Sequence, residues 1–298
     1  MAEMIKKLFM LLCLLCAMTA TAQVVKPGSA RTLVDSCGFF PQLSPDGLWL
    51  LYSPTDATQL MLKNLSTGTE KVIAAKDYPG FDAIFGGDGK VYYVTQEVRE
   101  DRLVYRTGQC FDALTGKSTL LTEPQHGAVR AVPATRGGAL KAPGGKGYNS
   151  SSDIGSATWT EGSRVHVTVG GEERVFSPVN SWAGYLWASL SPDGRRVAFF
   201  AAGKGIVVID LRGQVLAMLG NYEMPCWYIN DYLVAQNAKA DGHQFTSSQL
   251  LLLKADGTWQ TELTKPASMT MQPTCGGGKI VYTSIDGLLY EMTINIHE

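Results

Sequence analysis

The sequence predicts an all-β chain folded as a six-bladed β-propeller, with an N-terminal strand closing the last blade. Three observations predict it. The segment Phe40-Pro-Gln-Leu-Ser-Pro-Asp-Gly-Leu-Trp-Leu-Leu-Tyr52 recurs as Trp187-Ala-Ser-Leu-Ser-Pro-Asp-Gly-Arg-Arg-Val-Ala-Phe199, and an internal repeat decides architecture before local patterns do. From Ser44, further turns follow at steps of 42, about 49, about 56, about 38 and about 46 residues, close to the roughly 40–50 residues of propeller blades. Finally, the sixth unit has only three strands before Glu298, while residues 30–35 form a strand without a unit. Joining the two closes the ring and hides two sheet edges that would otherwise invite aggregation.

Residues 1–22 read as a secretory signal. Lys6 and Lys7 precede a short apolar run from Leu8 to Met18, and Ala20-Thr-Ala22 puts small residues before a cleavage point at Gln23. That run is shorter than the roughly 20 residues a bilayer span needs. A periplasmic or secreted protein is therefore expected, with residues 23–298 as a single propeller domain. Removing the signal takes away two lysines and one glutamate, leaving 24 basic and 26 acidic side chains. That balance argues against nucleic-acid binding, which needs a concentrated basic surface. No later segment is apolar for long enough to span a membrane. The hydrophobic content of 45% suits a globular core, and the 32 glycines suit many tight turns.

Each unit reads as four strands, A to D, with A innermost. In the first, A lies near 40–43, B is Leu48–Ser53, C is Gln59–Asn64 and D is Lys71–Ala75. The second runs Phe81–Phe85, Lys90–Thr95, Leu103–Asp112 and Lys117–Thr122, with Gly86-Gly-Asp-Gly89 as its first turn. The third is weakly marked. Val129–Pro133 is its expected inner strand, Val165–Val169 and Glu173–Phe176 form its outer hairpin, and residues 143–162, rich in Gly and Ser, read as a long loop beside Lys141 and Lys146. The fourth has Leu186–Leu190, Arg195–Phe200, Gly205–Asp210 and Gln214–Leu219. The fifth has Met224–Tyr228, Tyr232–Gln236, Gln249–Lys254 and Thr258–Leu263. The sixth has Met269–Thr274, the glycines 276–278, Lys279–Ser284 and Leu288–Ile294. These runs are rich in β-branched and aromatic residues and bounded by Gly, Asp and Pro, as strands are.

The Ser-Pro-Asp-Gly turns at 44–47 and 191–194, set between a short apolar strand and one ending in an aromatic, resemble the repeats of the TolB-type propeller family. The resemblance covers roughly residues 30–296 and implies the fold; it is nearly silent about function. There is no Trp-Asp dipeptide of the true WD40 kind. There is also no Gly-x-Ser-x-Gly elbow of the α/β-hydrolase domains that accompany some such propellers. The aspartates of the turns, Asp46, Asp88 and Asp193, read as turn formers: proline presets the turn, aspartate bonds nearby N–H groups, and glycine takes the positive φ.

No catalytic constellation, cofactor or metal site is expected. Of four histidines, His297 is terminal and His166 reads as a half-exposed strand residue. His126 and His243 lie in loops on one face, where Asp77, Asp82 or Glu123 could complete a metal site, but no His-x-His or His-x-x-x-His spacing supports one. The loops from D to A carry Phe39, Tyr78, Phe81, Trp182, Tyr185 and Tyr222. Aromatics at a rim bring large contact area at low entropy cost, so these six are the expected binding residues unless they pack between blades. The leading expectation is a non-enzymatic module binding a protein, peptide or glycan. The rivals are a metal-assisted lyase or hydrolase at the channel mouth, built on His126 and His243, and a subunit whose catalytic partner is a separate chain. Cys37, Cys110, Cys226 and Cys275 allow three full pairings, and their scatter over different units leads to an expectation of no structural disulfide.

Overall fold

A computed structural model of the chain describes residues 24–34, 37–54, 58–75, 83–86, 89–127, 129, 149–150, 156–169 and 172–297. The proposed signal, residues 1–22, lies outside them. No helix among the described residues is long and apolar enough to cross a membrane.

Two strands precede the blades, β1 (Val24–Pro27) and β2 (Arg31–Val34). Blade one is β3 (Gly38–Leu43), β4 (Trp49–Pro54), β5 (Gln59–Asn64) and β6 (Glu70–Ala75). Blade two is β7 (Ile84–Phe85), β8 (Lys90–Val98), β9 (Val104–Asp112) and β10 (Ser118–Leu120), and β11 (Gln125–His126) also pairs with β9. Blade three is β12 (Asn149–Ser150), β13 (Ala157–Glu161), β14 (Arg164–Val169) and β15 (Glu172–Phe176). Blade four is β16 (Tyr185–Leu190), β17 (Arg196–Ala201), β18 (Gly205–Asp210) and β19 (Val215–Met218). Blade five is β20 (Glu223–Ile229), β21 (Tyr232–Ala240), β22 (Phe245–Lys254) and β23 (Gln260–Glu262). Blade six is β24 (Met271–Gly276), β25 (Lys279–Thr283) and β26 (Leu289–Met292), completed by β2; β27 (Ile294–His297) pairs with β1. The strands are antiparallel, and inner strands of neighbouring blades touch around a closed ring. The chain is a six-bladed β-propeller.

The expected closure is present and has a second clasp. Residues Arg31, Thr32 and Val34 pair with Glu291, Tyr290 and Leu289. Val24 to Pro27 pair with His297 to Ile294. Leu33 and Val34 are buried with Leu43, Leu50, Tyr52, Val281 and Leu289, so the closing strand packs blade six onto blade one. The glycines 276–278 serve this same seam. The Gly277 N–H donates to the Pro45 carbonyl at 3.0 Å. A Cβ on Gly276 would lie 2.2 Å from the Ser44 carbonyl oxygen, and one on Gly277 2.2 Å from that of Asp46. The two turns therefore nest backbone to backbone, an approach that only glycine permits.

The Ser-Pro-Asp-Gly turns owe their shape to their own side chains. In blade one Asp46 Oδ1 accepts from the Leu48 N–H at 2.9 Å and Ser44 Oγ from the Trp49 N–H at 2.9 Å. In blade four Asp193 Oδ1 accepts from the Arg195 N–H at 3.1 Å and Ser191 Oγ from the Arg196 N–H at 2.9 Å. Gly47 and Gly194 both take φ of 68°. Both aspartates act as turn formers; Asp88 lies outside the described residues.

Blade three departs from expectation. Its inner strand is Asn149–Ser150, not 129–133, and its second strand, Ala157–Glu161, lies inside the stretch that reads as a loop. The sequence Ala-Thr-Trp-Thr-Glu carries strand-forming residues, but the Gly and Ser on either side mask it. Val129, outside any strand, is buried with Ile84, Tyr92 and Trp159. Residues 130–133, Lys141 and Lys146 are outside the described residues. His166 is buried rather than half-exposed. Its ring stacks on Trp159 at 4.8 Å, and its nitrogens lie 3.1 Å from Glu173 and 3.4 Å from Glu161.

Candidate functional site

The inner strands share a feature that shapes the channel. Pairing with the second strand breaks register at equivalent places in blades one, four, five and six. At each break a non-glycine residue takes positive φ: Phe40 (53°), Trp187 (54°), Met224 (51°) and Gln272 (53°). In three of the four the next residue is proline. Left-handed backbone costs a non-glycine residue about 1–2 kcal/mol, so neighbouring structure must hold it. Gln272 does so twice: its Oε1 accepts from the Phe40 N–H at 3.0 Å, and its own N–H donates to Gln236 Oε1 at 2.9 Å.

Two residues beyond each bulge stand Gln42, Ser189, Cys226 and Thr274, and all four line one cavity of about 340 Å³. It opens where the inner strands run into their first turns. Five blades contribute to its wall, including Phe85, Trp227, Tyr228, Asn230 and Cys275. Among its described lining residues there is no carboxylate, ammonium, guanidinium or imidazole. The Tyr228 hydroxyl lies 3.0 Å from the Gly278 carbonyl and 3.1 Å from that of Ile294, so its single proton is shared between them. Burial pushes its hydroxyl above its ordinary pKa. The Trp227 indole N–H donates to the Ser189 carbonyl at 3.0 Å. Thr274 Oγ1 accepts from the Leu43 N–H at 3.1 Å, linking blades six and one. At the opposite end of β20, burial raises the Glu223 carboxyl above its ordinary pKa.

This cavity is on the face of the A-to-B turns, opposite the D-to-A loops where the six aromatics were expected to collect. The structure spreads the described members of that set over blades one, four and five. Phe39 is half-buried in β3. Trp182 is 85% exposed and lies against Gly203, where an added Cβ would meet its ring at 2.8 Å. Tyr185 is buried in the core of blade four against Phe199, its hydroxyl bonded to Val179. Tyr222 is half-buried against the core of blades four and five and donates to Gln260 at 3.1 Å. Tyr78 and Phe81 lie outside the described residues. The missed residues had a signal: Gln42 and Ser189 each stand two places before a Ser-Pro-Asp-Gly turn. Proline after the bulge marks blades one, five and six.

The loop face has its own relief. β8 and β9, with nine residues each, and β21 and β22, with nine and ten, outrun the six-residue strands of blades one and four. At about 3.3 Å per residue these two hairpins extend roughly 10 Å further. They belong to blades two and five, which are opposite in a six-membered ring. His126 pairs beside β9 of blade two, its Nδ1 3.2 Å from the Val104 carbonyl. His243 sits at the tip of the blade-five hairpin, its N–H donating to Asp241 at 2.9 Å. The fold thus sets these histidines on opposite sides rather than together. Glu123 is exposed, and Asp77 and Asp82 lie outside the described residues. No group of three His, Cys, Asp or Glu suited to a metal occurs among the described residues.

No protein-family model matches the chain, and no curated protein sequence does. Solved structures do match. TolB from Acinetobacter baumannii aligns at a TM-score of 0.52 and 17% identity, over 78% of this chain and 56% of its own. The chain thus spans little more than half of that protein's length. A catalytically inactive virginiamycin B lyase from Staphylococcus aureus, with quinupristin, aligns at 0.53 and 12% identity, over 91% of this chain and 99% of its own. At such identities the likeness is one of fold.

Proposed function

We propose that this propeller is an exported binding module, and that its turn-face cavity takes an uncharged segment of a protein, peptide or glycan partner. The observation that carries the reading is the cavity wall. About 340 Å³ falls within the range of small-ligand sites, which is roughly 300–1,000 Å³. The wall offers aromatic surface from Phe85, Trp227 and Tyr228 beside amide and hydroxyl groups from Gln42, Asn230 and Ser189. Such a wall suits amides and sugar hydroxyls. Its described residues give a charged group no counter-charge, and they include no carboxyl, imidazole or ammonium to serve as acid or base in proton-transfer catalysis. The export reading rests on the lysines, apolar run and Ala20-Thr-Ala22 of residues 1–22.

The test is a photo-crosslinking amino acid placed at Gln42, compared with one placed at Trp182 on the loop face. A partner cross-linked from Gln42 alone supports the turn-face site. Gln42→Arg is expected to weaken that partner's binding at least tenfold by calorimetry, and a melting curve beside that of the parent checks that the ring survives the added charge. Cross-linking from Trp182 alone, or turnover of the bound compound, would overturn the reading.

A further inference from the structure

Two thiols in the cavity wall do nothing in the reading above. Cys226 stands in β20 of blade five and Cys275 in β24 of blade six. These are innermost strands of adjacent blades, and they bring residues 49 positions apart into contact. The sulfurs are 2.9 Å from each other. A disulfide bond measures about 2.05 Å, so a shift of less than about 1 Å would close it. Both residues line the cavity, Cys226 buried and Cys275 half-buried, so the cavity is the way by which a small sulfur compound would reach them. Cys37, beside Gly287, and Cys110, inside β9, have no place in that wall.

We propose that Cys226 and Cys275 form a reversible disulfide that clasps blades five and six at the channel wall, with a low-molecular-weight disulfide as oxidant. The first thiol to lose its proton attacks one sulfur of the small disulfide. A mixed disulfide forms, and one small thiolate leaves and takes up a proton. The second protein thiol loses its proton and attacks the protein sulfur of that mixed bond, expelling the other small thiolate, which is protonated in turn. Two protein thiols are thus oxidised by two electrons, and one small disulfide is reduced to two thiols. The thiolate is the attacking species. Burial and the neighbouring Cys226 push the Cys275 thiol well above its ordinary pKa, so oxidation is expected to quicken as pH rises. The bond would tie β20 to β24 and fix the wall around Trp227 and Thr274.

The experiment is incubation of the purified full-length protein with oxidised glutathione, followed by acid quenching, alkylation with iodoacetamide, digestion and mass spectrometry. The expected product is a cross-linked pair of peptides carrying Cys226 and Cys275, with two glutathione thiols released per bond formed. The melting temperature should rise by about 5–10 °C, as for a bond closing a loop of some fifty residues. Dithiothreitol should reverse the rise in the unaltered protein. Cys226→Ser and Cys275→Ser should each abolish it. Alkylation of both cysteines after oxidation, or glutathione on each with no cross-linked peptide, would overturn the proposal. The reductant arm needs no substitution, so it stands even if a serine in the wall weakens the fold.

Discussion

Deleting residues 24–34 is expected to cost the propeller at least about 3–6 kcal/mol, the worth of burying the Leu33 and Val34 side chains alone. Both lie in the cluster that joins blade six to blade one. Two further losses add to this. The ladder on β26 becomes an open edge, which invites association with other chains. Glu291, whose side chain is only 9% exposed, also loses Arg31 at 3.1 Å and keeps Lys279 at 3.7 Å. Urea unfolding measures the effect as a lower midpoint, and light scattering should show association. An unchanged midpoint would mean that the ring does not depend on its closing strand. A narrower variant, Val34→Asp, should produce most of the loss without shortening the chain.

Gly205→Ala is expected to be the most damaging glycine-to-alanine change among the described residues. A Cβ there would stand 1.9 Å from the Gly220 carbonyl oxygen, with φ already at +84°. The obstacle is backbone held in place by the Ile206 N–H to Gly220 carbonyl bond of 2.8 Å, so it cannot swing aside. Left-handed backbone costs about 1–2 kcal/mol and overpacking about 1–3 kcal/mol more, for a total of roughly 2–5 kcal/mol. Gly194→Ala is the control. Its φ is +68° and nothing lies within 4 Å of the added carbon, so only the backbone cost of about 1–2 kcal/mol is expected. Paired denaturation curves decide the matter. Equal losses in the two variants would show that the approach of Gly220 is looser than its geometry indicates.

Several elements were legible in residue order because their causes are local. The turns at 44–47 and 191–194 are built by their own serine, aspartate and glycine, so they can be recognised without knowing what surrounds them. Blades one and four, with apolar strands on either side of such turns, follow directly. The weak unit shows the limit. Ala157–Glu161 has strand-forming side chains, but the Gly-Ser stretch before it signals a loop, and its place is set by pairing with β14 and by packing of Trp159. His166 shows the same limit, since only that packing determines that an imidazole is buried between two glutamates.

The candidate site was less legible, for a related reason. Aromatics near strand ends suggested the loop face, yet Tyr185 is used in the core and Phe39 and Tyr222 are half-buried. Whether an aromatic is a rim or a core residue depends on what packs over it, and residue order does not carry that. Gln42 and Ser189 were unremarkable as letters, and they gain meaning only when a repeated bulge aims the same position of several blades at one cavity.

By itself the sequence determined the β class, the number of units and the need for a strand from one end of the chain to complete the other. Those are consequences of period, turn chemistry and unpaired edges, all written along the chain. The tertiary structure alone decided that the first turns of several blades enclose a cavity, that no charged side chain is among its described lining residues, and that Cys226 and Cys275 touch. Each depends on neighbouring blades bringing equivalent inner positions together across some fifty residues. The scatter of the cysteines over separate units, which argued against pairing, is what places two of them side by side.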